Sequence, residues 1–249
     1  MNRSTYLFVF LLTLLTLPGK QSVKGQILPF DNYTIHNGLP QNSVFDIVQD
    51  HQGYIWFATQ VGASRFDGKE FKNFYVADGL PDNYVNCLMS DSKGRIWFGT
   101  DGGGLGRKEG NNWKTFKKED GLIDDHIEKL YEDRTGTIWV MTHYGISRIT
   151  ADDCLFSYDK KNGLIHNNVI SMYETRNGEM WFGTQTGLSV FRGDSIWNKT
   201  LNDVVWGIDQ DSNGDIWIAM QGSGIYRFDG KKFHHYTTSE GLVLSLIHI

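Results

Sequence analysis

Short apolar runs and turn residues alternate along nearly the whole chain. The stretch "VFDIVQDHQGYIWFATQVGASRFDGKEFKNFYVADGLP" holds four runs rich in β-branched and aromatic residues, at 44–50, 54–60, 63–67 and 70–76. Each run has the length of a strand, and Gly, Asp and Asn separate them. No segment after residue 25 keeps a helical period over three turns. The tryptophan of the second run, Trp56 in "YIWFAT", returns as Trp97 in "RIWFGT", Trp139 in "TIWVMT", Trp181 in "EMWFGT" and Trp217 in "DIWIAM". The intervals are 41, 42, 42 and 36 residues. A period near 40 with four strands per period predicts an all-β fold of β-propeller blades, each a four-stranded antiparallel sheet.

The turns agree with that reading. Asp50, Asp91, Asp133 and Asp211 each stand three residues before a glycine, between the first and second runs. Asp can accept from the backbone two residues on, and Gly supplies the positive φ of a tight hairpin. The fourth repeat has Thr175 in place of Asp. "FDGKEF" and "FDGKKF" form the hairpin between the third and fourth runs, and "NGLP", "DGLP", "DGLI", "NGLI" and "EGLV" follow fourth runs. A residue type found once per blade serves packing, so Trp56, Trp97, Trp139, Trp181 and Trp217 are expected to fill the space between adjacent blades.

These motifs resemble the two-component regulator propeller repeat, which runs roughly D-x-x-G-x-I-W-F-G-T, then G-L-x-R-F-D-G, then G-L-P-x-N. The best matches are Asp91 to Thr100, Gly224 to Gly230 and Gly79 to Asn83, and the resemblance covers about residues 30–243. It implies a periplasmic ligand-sensing propeller. Such propellers usually precede a further β-domain, a membrane helix and a signalling module, often a hybrid histidine kinase, and in many members the signal is an oligosaccharide. The resemblance also suggests seven blades or more. Five repeats are present, and "ILPFDNYTIHNGLP" matches the last strand of a blade, giving six outer strands for five inner triplets. A truncated ring is therefore expected, with residues 26–243 as propeller and the off-pattern 244–249 as its cut end.

Residues 1–25 read as a signal peptide: Arg3, an apolar run from Tyr6 to Leu17, then Val23 and Gly25 at −3 and −1 of a cleavage site. The run is too short to span a bilayer comfortably. The localisation expected is export to the periplasm, with membrane attachment only through segments further along a full-length receptor. Removing 1–25 leaves 21 basic and 29 acidic residues, a net charge of −8. That argues against a nucleic-acid partner. Cys87 and Cys154 read as separate buried thiols.

Strand order collects two loops from every blade on one face. Constant loop residues such as Gly38, Leu39, Asn42, Gly79, Leu80 and Asn83 are structural. Variable ones are free to specialise. The candidate ligand-binding set is Gln60, Tyr84, Asp101, His143, Tyr144, Gln185 and Gln221, whose amides, carboxylate and rings suit an oligosaccharide. Asp125, His126, His166 and Asn168 lie nearby. His36, His126, His143 and His166 map to the same face, but no pair shows helix or hairpin ligand spacing, so no metal and no cofactor are expected. "DQDSNGDIW" lacks the closing Glu of a calcium loop. No nucleophile elbow, Walker loop or metalloprotease motif occurs. The function expected is the sensing region of a two-component receptor, possible homodimerisation belonging to the full-length protein. A protein-interaction scaffold is the alternative, and a propeller lyase or glycosidase a lesser one, with Asp101 and His143 as base and acid.

Overall fold

The computed structural model describes residues 30–243, so the expected leader and off-pattern tail lie outside the described part. Its strands form five four-stranded antiparallel sheets, each drawn from one contiguous stretch. The first blade holds β1 (Val44–Gln49), β2 (Ile55–Thr59), β3 (Gly62–Phe66) and β4 (Phe71–Phe74). The second holds β5 (Val85–Ser90), β6 (Ile96–Thr100), β7 (Leu105–Glu109) and β8 (Asn112–Phe116). The third holds β9 (Lys129–Glu132), β10 (Ile138–Thr142), β11 (Gly145–Ile149) and β12 (Leu155–Tyr158). The fourth holds β13 (Val169–Glu174), β14 (Met180–Thr184), β15 (Gly187–Arg192) and β16 (Ser195–Thr200). The fifth holds β17 (Val205–Gln210), β18 (Ile216–Met220), β19 (Ile225–Phe228) and β20 (Phe233–Tyr236). First strands of successive blades touch, β1 on β5, β5 on β9 and β13 on β17, so these are the inner strands. No helix among the described residues is long and apolar enough to cross a membrane.

In four of the five blades the hairpin between first and second strands is closed by its Asp. Asp91 Oδ1 accepts from the N–H groups of Lys93 and Arg95 at 3.0 and 2.8 Å, while Oδ2 accepts from Trp97 Nε1 at 2.7 Å. The same tie joins Asp50 to Trp56 and Asp133 to Trp139 at 2.7 Å, and Asp211 to Trp217 at 2.9 Å. In the fourth blade Glu179 Oε2 takes the Trp181 indole N–H at 3.2 Å instead. The Asp therefore satisfies an N–H that burial of the ring would otherwise strand.

The indoles then face the next blade. Trp56 packs with Val85, Leu88, Ile96 and Phe98. Trp97 meets Ile127, Ile138 and Val140, Trp139 meets Met180 and Phe182, and Trp181 meets Val205, Ile216 and Ile218. These four are buried. Trp217 is half-buried: no described sheet covers it, and a pocket of about 270 Å³ opens beside it against Ile208, Ile218 and Ile225.

Four of the Gly-Leu connections are single 3-10 turns closed by a left-handed glycine, such as Gly79 at φ 117. In two of them the Asn four residues on ties the turn back: Asn42 Oδ1 accepts from Ile35 N at 2.9 Å, and Asn83 Oδ1 from Val76 N at 3.0 Å. Asp125 replaces it in the third blade, accepting from Lys118 N at 2.7 Å. Leu39, Leu80, Leu122 and Leu164 are buried beneath these turns. Between the fourth and fifth blades, where the motif is missing, Leu201 fills that place and Asn202 takes the positive φ.

Two expectations change. Residues 30–34 form no strand; the Tyr33 ring instead packs on Phe66 and Phe71, at 5.0 and 5.6 Å between centroids. Cys87 is buried, but Cys154 is exposed because it starts the outer strand just after the β11–β12 turn. Trp197 packs edge-on against Trp181, as a core aromatic should, yet Trp206 is 48% exposed.

Candidate functional site

The exposure of Trp206 has a local cause. In four blades the inner strand slips register after its first residue: Val44 pairs with Thr59 but Asp46 with Ala58, Val85 with Thr100 but Cys87 with Gly99. The same slip follows Val169 and Val205. Each bulge leaves one extra residue outside the ladder, and a bulge re-aims the side chain it carries. The residues so placed are Phe45, Asn86, Ile170 and Trp206. Glu128 holds the equivalent place in the third blade, after Ile127 and just ahead of β9. The preceding residue is always Val or Ile and is buried in the last four blades. The bulged residue differs in every blade.

Two of these side chains build the site nearest the first three blades. The Phe45 ring lies flat on Tyr84, with centroids 5.2 Å apart and planes 4° from parallel. Beside it a pocket of about 330 Å³ is lined by Phe45, Asp46, Asn86, Glu128 and Lys129. Asp46 and Asn86 also bind the next blade: Asp46 Oδ2 accepts from Leu88 N at 2.8 Å, and Asn86 Nδ2 donates to Ile127 O at 3.1 Å.

Glu128 links this pocket to a cluster on the loop face. Its Oε1 lies 2.8 Å from His126 Nε2 and 3.0 Å from His143 Nε2. The far nitrogen of His126 contacts the Asp101 carboxylate, and that of His143 lies 3.2 Å from Asn168 Oδ1. Blades two, three and four thus meet through five side chains. The backbone explains why. Asp101 and His126 form a bridge, and Gly102 and Gly104 both donate to Asp125 O, at 3.2 and 3.0 Å. The run "DGGG" also packs against the connection before it, where a Cβ on Gly103 would stand 2.6 Å from the Pro81 carbonyl oxygen.

The expectation that no histidine pair has hairpin ligand spacing is corrected here. Lys129 pairs with Met141, and the extra residue Glu128 shifts the register ahead of it by one, which brings residues 126 and 143 side by side at the start of the β9–β10 pair, with ring centroids 5.9 Å apart. His126, Glu128 and His143 converge as the donor set that a divalent transition-metal ion takes.

Of the seven residues expected to bind a ligand, Tyr84, Asp101 and His143 are brought together. The Asp101 N–H donates to Tyr84 O at 2.9 Å. Gln185 and Gln221 occupy the same backbone place in their own blades, Gln185 donating to O of the cluster residue Asn168 and Gln221 to Val204 O in the fifth blade. Gln60 and Tyr144 are exposed, and Tyr144 is held through its N–H on Thr142 Oγ1 at 3.0 Å. Phe45, Glu128 and Trp206 were missed. The signal for them was one variable position after a constant Val or Ile.

Contiguous four-stranded sheets, each sealed to the next by its tryptophan, define a β-propeller repeat protein. Residues 38–60, 79–102 and 163–186 match the two component regulator propeller family. Over 43 residues, 17% of this chain, it is 46% identical to "Histidine kinase P4" of Formosa agariphila and spans 3% of that protein. The extracellular domain assigned to a hybrid two component system of B. thetaiotaomicron shares the fold, with TM-score 0.53 and 23% identity over 87% of this chain and 38% of that one. Virginiamycin B lyase from Staphylococcus aureus does so at TM-score 0.58 and 19% identity, over 78% of this chain and 69% of that one.

Proposed function

We propose that this chain is the sensing propeller of an exported two-component receptor and that its loop face takes an oligosaccharide. The observation carrying this reading is the bulge position, where a constant frame presents Phe45, Asn86, Glu128, Ile170 and Trp206 in turn. Such an arrangement separates stability from specificity. Flat aromatic faces suit the apolar side of a sugar ring, and the adjoining carboxylates, amides and imidazoles suit its hydroxyls. The family match supports the two-component setting. Kinase, membrane anchor and any homodimer interface belong to the longer receptor, and this region has no turnover of its own.

Calorimetry of the chain against an oligosaccharide panel tests the reading. Binding is expected, with Tyr84→Ala, Trp206→Ala and Glu128→Gln weakening it about tenfold or more each, and with the glycan recovered unchanged by chromatography. Binding untouched by all three substitutions would overturn the site. A second reading, a lyase, is favoured by His126 standing between Asp101 and Glu128 as an acid–base group could. Appearance of an unsaturated product would select it.

A further inference from the structure

The opposite face, at the Asp-x-x-Gly hairpins, holds a second feature. The third strand of four blades carries an arginine at one place. Arg227 pairs inside its own blade with Asp215 at 3.2 Å, while Arg65, Arg107 and Arg148 face the seam to the next blade. The last turn residue of the next blade's outer hairpin answers the arginine. Arg107 and Lys114 clamp both oxygens of Asp153, with Arg107 Nη2 3.1 Å and Lys114 Nζ 2.6 Å from Oδ2. Arg148 Nη2 reaches Asp194 at 3.0 Å. The fourth blade has Val190 at the arginine position, and the facing turn residue is Lys231.

One seam breaks this pairing. Arg65 and Lys72 are cross-strand partners in the first blade, as Arg107 and Lys114 are in the second. The facing turn residue of the second blade is Asn111, which brings no charge. The seam instead opens into a pocket of about 460 Å³ lined by Arg65, Lys72, Lys93, Lys108 and Asn111, with one carboxylate, Asp50, that is already engaged by its own turn and the Trp56 indole. None of these four cations makes an ion pair among the described residues. Burial, with Lys72 and Arg65 nearby, holds the Lys108 ammonium below its ordinary range. The Arg65 guanidinium is braced over the Tyr54 ring at 4.2 Å, and its buried Nε has no partner.

We propose that the seam between the first and second blades is an oxyanion-binding site, taking a carboxylate, sulfate or phosphate group of a ligand. The neighbouring seam shows the geometry: Asp153 is the chain's own version of the anion that Arg65 and Lys72 await. A guanidinium offers paired N–H groups to two oxygens, and the ammonium groups of Lys72, Lys93 and Lys108 add charge around them. The pocket lies at the far end of the strands from His126 and Glu128, so it does not depend on the oligosaccharide reading of the loop face.

The test is calorimetric titration of the chain with inorganic phosphate, sulfate and glucuronate in low-salt buffer. At least one should bind in the range of about 1 mM or tighter, and the tightest identifies the anionic group. Lys72→Gln, at an exposed position that leaves the core intact, should weaken binding about tenfold. Asn111→Asp should supply the missing carboxylate, abolish anion binding and raise the melting temperature by about 2–4 °C. Lys160→Gln, remote from the pocket, should bind as the natural chain does. Failure of all three anions to bind, or unchanged binding by both Asn111→Asp and Lys72→Gln, would overturn the proposal.

Discussion

Asp91 accepts four hydrogen bonds within its turn. Fully buried, it accepts from two backbone N–H groups, the Arg95 guanidinium and the Trp97 indole. Removing it leaves those donors stranded, at about 1–3 kcal/mol for a buried unsatisfied group. Asp91→Ala should therefore lower stability by about 3 kcal/mol in urea unfolding followed by tryptophan emission. Thr175→Asp, which offers the Trp181 indole the turn carboxylate of the other blades in place of its longer 3.2 Å bond to Glu179, should raise it by about 0.5 kcal/mol. The thiols behave oppositely to each other. Burial pushes the Cys87 thiol up, with the Asp46 charge adding to it, while Cys154 stands in solvent. A thiol reagent at neutral pH should modify Cys154 within minutes and Cys87 only on unfolding; equal labelling of both would contradict the structure.

Blades are joined by seams, and the seam after the second blade is pH-sensitive. Burial alone would raise the Asp153 carboxyl, but hydrogen bonds from Arg107 and Lys114 outweigh it and hold it below the usual carboxylate value. A carboxylate depressed in the folded state contributes above its unfolded pKa of about 4, and that contribution is lost as pH falls through the folded value. Asp153→Asn should thus destabilise the chain at pH 7 and leave it less sensitive to acid below about pH 4, measured as unfolding midpoint against pH. Elements of this kind divide by how much of them the sequence discloses. Strand boundaries, the Asp-x-x-Gly hairpins and the interblade tryptophans were readable, because turn chemistry and packing demand the same residue in every blade. The Asp–Trp hydrogen bond, the Arg–Asp clamp and the His126–His143 contact were not, since each depends on cross-strand register. The bulge was hidden for another reason: it changes the count of residues on one strand without requiring a particular residue type.

For the whole molecule, each blade is covered by the next and the fifth is covered on one side only among the described residues. Its Trp217 and Ile208 retain solvent contact. Sheets that touch only their neighbours gain stability from each interface, so an uncovered one opens more readily. Hydrogen exchange followed by mass spectrometry should find amides of 205–236 exchanging faster than those of 85–149. Uniform protection across all five blades would count against this gradient.

Contiguity within each sheet also bears on how the molecule is made. All four strands of a blade come from about 40 consecutive residues, so loop closure stays local and the entropic barrier to forming a blade is low. A chain emerging from its N-terminal end can complete β1 to β4 before β5 exists. The Trp56 face is then ready as a template on which the second blade condenses. Folding can proceed vectorially, one blade at a time, with the growing end always carrying a newly exposed indole. The uncovered Trp217 face is the same growing surface at the end of the fifth step.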